Sequence, residues 1–346
     1  MINSKLEAPG VVSIQLNDVC NLQCSHCYLD KMSEKSLSLA EWNRVFTSLF
    51  RDLKPGAVSF IGKEVFAREE SVEAFFNAIN IRNDVAQKEG SRSTDIGVTT
   101  NGTLLHPYKD ELLTYIPSLE WIDLSIDGPQ SFHDSIRGKS AFTRLEQNLE
   151  WLATACRDRI WITTTVFDQN AELIPAMMRT LNEKYGLRNF SLGIYKQPLG
   201  VDLYTLTISD QAVARFIHAL KKETWPCGKD ITVLFDIPKE MPEYSRVFQL
   251  PETDGKWLTQ HNEIWSNGVH LKIHRANMAT GLWRAVRISP SGHWLAAEDL
   301  IDHKNYEALS IVNLRSTHYD TRQAYQLGLQ SRRAKELGIE SIILNL

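Results

Sequence analysis

At 346 residues, with 43 % apolar and 23 % charged side chains, the chain is long enough to bury one large α/β core, and no low-complexity tract argues for disorder. Its 38 basic and 42 acidic residues are interspersed and leave a net charge of −4, so the charge pattern gives no reason to expect nucleic acid or an anionic membrane as partner. Met1 to Gly10 lacks the apolar stretch of a signal peptide, and no segment approaches the ~18 consecutive apolar residues of a membrane span, which predicts a cytoplasmic protein.

In chain order, strands are expected at Val12–Leu16, Ala57–Ile61, Asp95–Thr100, Trp121–Ile126, Ile160–Val166, Asn189–Ile194 and Ile231–Phe235. Between the first two, Ser38 and Glu41 make a capping box, followed by an apolar stripe of Leu39, Trp42, Val45, Phe46, Leu49 and Phe50. Ser71–Ile79 fits the next helix. Phe142, Leu145, Leu149 and Leu152 mark another, and Val213, Ile217 and Leu220 a further one. Repeated β-then-α units need crossover connections, so the fold class is α/β, a partial (β/α)6-type parallel barrel. After about Asp236 the pattern changes. Residues Asn267 to Ala297 read as short antiparallel strands, with Ser289–Gly292 as a turn, and Arg315 to Leu337 as a terminal helix. A soft boundary near Pro238 divides a core, 1–237, from a hairpin-plus-helix extension, 238–346.

Cysteine is the most informative residue type. Three of the five fall in eight positions, as Cys20-Asn21-Leu22-Gln23-Cys24-Ser25-His26-Cys27, directly after the first strand. In a reducing compartment such a cluster reads as metal binding before disulfide. Three thiolates on one loop can ligate three corners of a cubane cluster and leave one iron open for chemistry. The competing reading is a zinc site with His26 as fourth ligand. It would draw every ligand from one tight loop, without the second half-site that zinc motifs usually use.

With these residues the sequence resembles the radical S-adenosylmethionine superfamily, whose signature is a Cys-x3-Cys-x2-Cys loop after the first barrel strand. The resemblance covers roughly residues 12 to 235. Gly62-Lys63-Glu64, after strand two, matches the family's Gly-Gly-Glu, which binds the methionyl amino group, except that Lys63 replaces the second glycine. Thr99-Thr100-Asn101-Gly102 is similar to the family's strand-three segment. Ser125-Ile126-Asp127-Gly128-Pro129, with Arg137 downstream, looks like the peptide-modifying and sulfatase-maturing branch. The resemblance implies one [4Fe–4S] cluster on Cys20, Cys24 and Cys27. It implies S-adenosylmethionine contacts from Gly62, Lys63, Glu64, Thr100, Asn101, Ser125, Asp127, Arg137 and Asn170. A reduced cluster would cleave the cofactor to methionine and a 5′-deoxyadenosyl radical that abstracts a hydrogen atom.

Residues 283–297 resemble the hairpin that holds auxiliary clusters in relatives acting on peptides, yet Ala296 and Ala297 stand where those relatives carry a cysteine. That implies a cluster-free remnant and a single cluster per chain. Cys227, just before the last strand, is the candidate hydrogen donor to a substrate radical, against the alternative of a small buried residue. Cys156 reads as structural. His293, Glu298 and Asp299 are equally substrate contacts or solvated loop residues. The expected substrate is a peptide or peptide-derived natural-product precursor, although only nineteen residues precede Cys20 and leave no room for a leader-binding domain. A sugar, nucleotide or amino acid is the alternative, and a non-catalytic metal protein a remote one. Electrons are expected from a flavodoxin- or ferredoxin-type donor.

Overall fold

The computed structural model describes residues 8–27, 29, 36–90, 94–194, 209–228, 230–238, 258–276, 285–296, 310 and 312–330. All seven expected strands form, as β1 (Val11–Ile14), β2 (Ala57–Phe60), β3 (Asp95–Thr100), β4 (Trp121–Ser125), β5 (Ile160–Val166), β6 (Asn189–Ile194) and β7 (Ile231–Pro238). They are linked by α1 (Leu39–Ser48), α2 (Glu69–Glu89), α3 (Lys109–Tyr115), α4 (Gln130–Arg137), α5 (Ala141–Cys156), α6 (Ile174–Tyr185) and α7 (Asp210–Lys222). Neighbouring strands from β1 to β7 are parallel throughout, as crossover helices require.

Strand periodicity separates two faces. In β5 and β6 every second residue is buried, and Ile160, Ile162, Phe190 and Leu192 belong to the apolar core under the helices. On the other face Thr163 and Thr165 lie beside Ser191 and Gly193, half-buried. The core between α1, α2 and β2 is aromatic: Trp42 stacks on Phe46, which meets Phe60 edge-on, and Phe60 meets Phe75. The Ser38–Glu41 capping box is present. Helix α2 runs ten residues past the expected Ile79 and ends on Gly90, in the left-handed region. Its extra turns pack Ile81 and Val85, partly buried, against the core, and Arg82 is buried there and donates to the carbonyls of Thr94 and Ser118.

The C-terminal third differs from expectation. The Ser289–Gly292 turn, between β10 (Ala285–Ile288) and β11 (His293–Leu295), makes the anticipated antiparallel hairpin. Strand β9 (Val269–Ala276) adds parallel to β7, with β8 (Leu258–Ile264) antiparallel outside it. Strand β10 adds parallel to β1, and β12 (Val312–Asn313) pairs with β11. Among the described residues one open sheet therefore runs β12-β11-β10-β1-β2-β3-β4-β5-β6-β7-β9-β8, and the boundary at Pro238 is not a break in it. The terminal helix begins at Thr321 as α8 (Thr321–Gln330), after a short turn at Leu314–Thr317; residues 331–337 lie outside the described residues. Arg315 and Tyr319 latch this segment to α1 through Glu41, at 2.8 and 2.6 Å. The hydrogen bond from Arg315 is the main reason the Glu41 carboxyl stays far below the usual range.

Candidate active site

The three cysteines lie on the loop after β1, at the edge where the parallel strands end and where α/β barrels place their sites. The loop is stitched to its neighbours before the first cysteine is reached. Asn17 Nδ2 donates to the Glu64 carbonyl (3.0 Å) and Ser71 Oγ (2.8 Å), while its Oδ1 accepts the Val19 N–H at 2.8 Å. The Glu64 N–H returns a bond to the Val19 carbonyl at 3.0 Å. Within the loop, the Leu22 N–H points at Cys20 Sγ (3.4 Å), and the Cys27 N–H closes a turn on the Cys24 carbonyl (3.1 Å). The Ser25 N–H reaches the Ile136 carbonyl near the end of α4, at 2.9 Å.

Strands two and three brace the same loop. The buried Glu64 carboxylate accepts the Thr100 hydroxyl at 2.7 Å and the Asn101 N–H at 2.8 Å. Burial raises its pKa against those hydrogen bonds. Asn101 Nδ2 donates to Asn21 at 2.9 Å and lies 3.8 Å from Cys20 Sγ, while its Oδ1 accepts from Thr103. Gly62, at φ +134°, is a steric necessity, since a Cβ there would lie 2.8 Å from Gln15 and 2.9 Å from Arg287.

Asp127 is the hub of the far side. Its Oδ2 meets His26 Nε2 at 2.8 Å and Arg137 Nε at 2.6 Å, and its Oδ1 accepts the Thr165 N–H at 3.2 Å. Burial works to raise its pKa, but the Arg137 charge and the His26 bond outweigh it and hold the carboxyl far below the usual range. His133 accepts the Asp127 N–H, and burial with the Arg137 charge pushes its pKa down to about 4, so it is neutral. Asn170 donates to the carbonyls of Asp127 and Thr165 and accepts the Phe167 N–H, which uses its whole amide.

The chain thus brings Gly62, Lys63, Glu64, Thr100, Asn101, Ser125, Asp127, Arg137 and Asn170 to the ends of β2–β5 around Cys20, Cys24 and Cys27. Their roles divide. The side chains of Glu64, Thr100, Asn101, Asp127 and Asn170, implied as cofactor contacts, are bonded to the protein and hold loops in place. Among the described residues the Ser125 hydroxyl has no partner, and Lys63 Nζ extends to the Leu29 carbonyl and to 3.9 Å from Cys27 Sγ. Sequence reading missed the bracing roles of Asn17, Asn21, His26 and His133. The polar residues Gln15, Asn17 and Asp18, alternating with Leu16 at the end of an apolar strand, were the available signal for Asn17.

The donor set on this loop is three thiols, the number that a cubane with one open iron takes. His26 Nε2 meets Asp127 and its ring stacks on Phe167 at 5.6 Å. Burial raises the Cys20 thiol and pushes Cys24 up to about 11, despite Arg137 beside it, so both shed protons when they ligate. Cys227 is not in this assembly. It is exposed in the turn before β7, at the opposite edge of the sheet, with Sγ on the Glu183 carbonyl (3.4 Å) and N–H on Asn182 (3.1 Å). The turn precedes the strand, and that order alone sets it at the wrong end for a hydrogen donor. Cys156 is buried at the end of α5. His293 opens β11, and Ala297, Glu298 and Asp299 lie outside the described residues.

The family model described as the radical SAM superfamily matches residues 14–181, which run from the end of β1 through the whole cysteine loop and β2–β5. Over those residues, just under half of its length, the chain is similar to this superfamily. It is 26 % identical over 196 residues to the antilisterial bacteriocin subtilosin biosynthesis protein AlbA of Bacillus subtilis, covering 55 % of this chain and 40 % of that protein. To the serine-type anaerobic sulfatase-maturating enzyme of Bacteroides thetaiotaomicron it is 30 % identical over 148 residues, 39 % of this chain and 34 % of that one. The chain therefore spans less than half the length of these two curated relatives. Streptococcus suis SuiB bound to its precursor peptide SuiA is similar to this chain in fold, with a TM-score of 0.63 at 13 % identity over 91 % of this chain and 65 % of that chain.

Proposed function

We propose that this chain holds one [4Fe–4S] cluster on Cys20, Cys24 and Cys27, cleaves S-adenosylmethionine reductively, and abstracts a hydrogen atom from a peptide or peptide-derived precursor. The observation that carries the reading is the three-thiol loop, braced from the ends of β2, β3 and β4. When bound, cluster and cofactor supply a one-electron cleavage to methionine and a 5′-deoxyadenosyl radical. The chain's own part is orientation. Asn17, Glu64 and Asn101 fix the loop on one side, and Asp127 with Arg137 on the other. Ser125 offers a free hydroxyl and Gly62 a bare backbone to the cofactor.

A peptide substrate is supported by the open sheet face beyond Ser125. Ser125, Thr163, Ser191, Leu234 and Lys272 follow one another across β4–β7 and β9, a mostly polar row that suits an extended chain. The functions carried in the names of AlbA and the precursor-bound SuiB agree with it. Electrons would come from a flavodoxin- or ferredoxin-type donor. The test is anaerobic reduction of the reconstituted protein with S-adenosylmethionine. 5′-Deoxyadenosine is expected, and deuterium from a labelled candidate peptide should appear in it. Absence of 5′-deoxyadenosine with every reductant tried contradicts the reading.

A further inference from the structure

One residue departs from the family pattern at the point closest to the thiols. Where the motif has its second glycine, this chain has Lys63 on the loop after β2. The side chain folds back over the cysteine loop, donates to the Leu29 carbonyl and comes within 3.9 Å of Cys27 Sγ. Among the described residues no carboxylate pairs with it, whereas Arg137 on the other side of the loop is neutralised by Asp127 at 2.6 Å. Among the described residues, then, the loop carries an ammonium without a carboxylate partner on one flank only.

We propose that Lys63 sets the reduction potential of the cluster: its ammonium, donating to the Cys27 sulfur, stabilises the reduced state and makes the cluster easier to reduce than a glycine in its place would. The inference rests on the reading that Cys20, Cys24 and Cys27 hold that cluster. Reduction adds one negative charge to the cluster, and a nearby cation interacts more strongly with the more negative state. Hydrogen bonds to cluster sulfurs are among the levers that set such potentials. The step is a one-electron transfer from dithionite to the cluster; no bond is made or broken. Lys63 acts through Cys27 and is a positioning residue.

The test is a potentiometric titration of the reconstituted full chain, followed by electron paramagnetic resonance, for the native protein, Lys63→Met, Lys63→Gln and Lys63→Arg. Iron content and S-adenosylmethionine binding are measured on each. At a fixed potential the reduced-to-oxidised ratio should fall about tenfold in Lys63→Met, a shift of ~59 mV, and stay within about twofold in Lys63→Arg. An unchanged ratio in Lys63→Met overturns the proposal. So does an equal shift in both variants, which would make the Leu29 tether, and not the charge, the cause. Weaker S-adenosylmethionine binding at unchanged potential overturns it in favour of a cofactor contact. Loss of iron in both Lys63→Met and Lys63→Gln overturns it in favour of a role in holding the loop. A native protein with no cluster signal is a separate failure, that of the cluster assignment itself.

Discussion

The two edges of the parallel sheet are held together by different interactions. Where β1–β5 end, the loops are joined by side chains from distant parts of the sequence, such as Asn17 to Glu64, Asn101 to Asn21 and His26 to Asp127. Where the strands begin, side chains reach backbone carbonyls, as from Arg82 to Thr94 and Ser118 and from Thr94 to Pro55, and packing joins them. The Trp121 indole fills the space a side chain at Gly97 would need, with ring atoms 1.9 Å from the Cβ that glycine lacks. Polar networks fix positions and tolerate deletion poorly, whereas packed ends respond to volume. That difference assigns chemistry to one edge and support to the other.

The largest effect should follow from removing one member of the buried pair at the chemical edge. Asp127→Asn leaves Arg137 uncompensated and should cost about 3–5 kcal/mol in chemical denaturation. Asp127→Asn with Arg137→Met should cost less than the two single changes together. Additive losses would separate the two residues. At the packed edge Gly97→Ala should cost about 1–3 kcal/mol by overpacking against Trp121, with the cysteine loop's iron content unchanged. Iron loss there would erase the division between edges.

Between the edges stands Asp123, half-buried on β4, whose pKa burial pushes up to about 6 against bonds from Thr99 and Thr163. The folded chain then favours the neutral acid. The cost is absent below about pH 4, grows as pH rises toward 6 and is complete above it. Asp123→Asn should raise stability by about 1–3 kcal/mol at pH 7.5 and leave it unchanged at pH 4, read as melting temperature against pH. A pH-independent effect would show that hydrogen bonds, not charge, matter there. The smallest effect belongs to Cys227→Ser, which should leave stability and any hydrogen transfer unchanged, because the thiol sits on the packed edge.

What the sequence disclosed was local. Cysteine spacing, capping residues and strand periodicity each lie within a few positions, so the loop, α1 and seven strands were legible. Partnerships across long separations were not. Nothing near His26 announces Asp127, 101 positions away. The two arms of the β10–β11 hairpin could be read from the turn between them, but the parallel pairing of β10 with β1 could not, because no local period encodes it. Asn170 was expected at the cofactor and instead ties β5 to β4, a distinction made only by which groups its amide meets.

The most direct test of the account is the iron, sulfide and zinc content of the anaerobically reconstituted chain, with its electron paramagnetic resonance spectrum before and after addition of S-adenosylmethionine. About four irons and four sulfides per chain, lost when Cys20, Cys24 and Cys27 become alanine, with a spectrum altered by the cofactor, are the results expected of a three-cysteine cubane. Zinc at one per chain, or a cluster spectrum indifferent to S-adenosylmethionine, would contradict it.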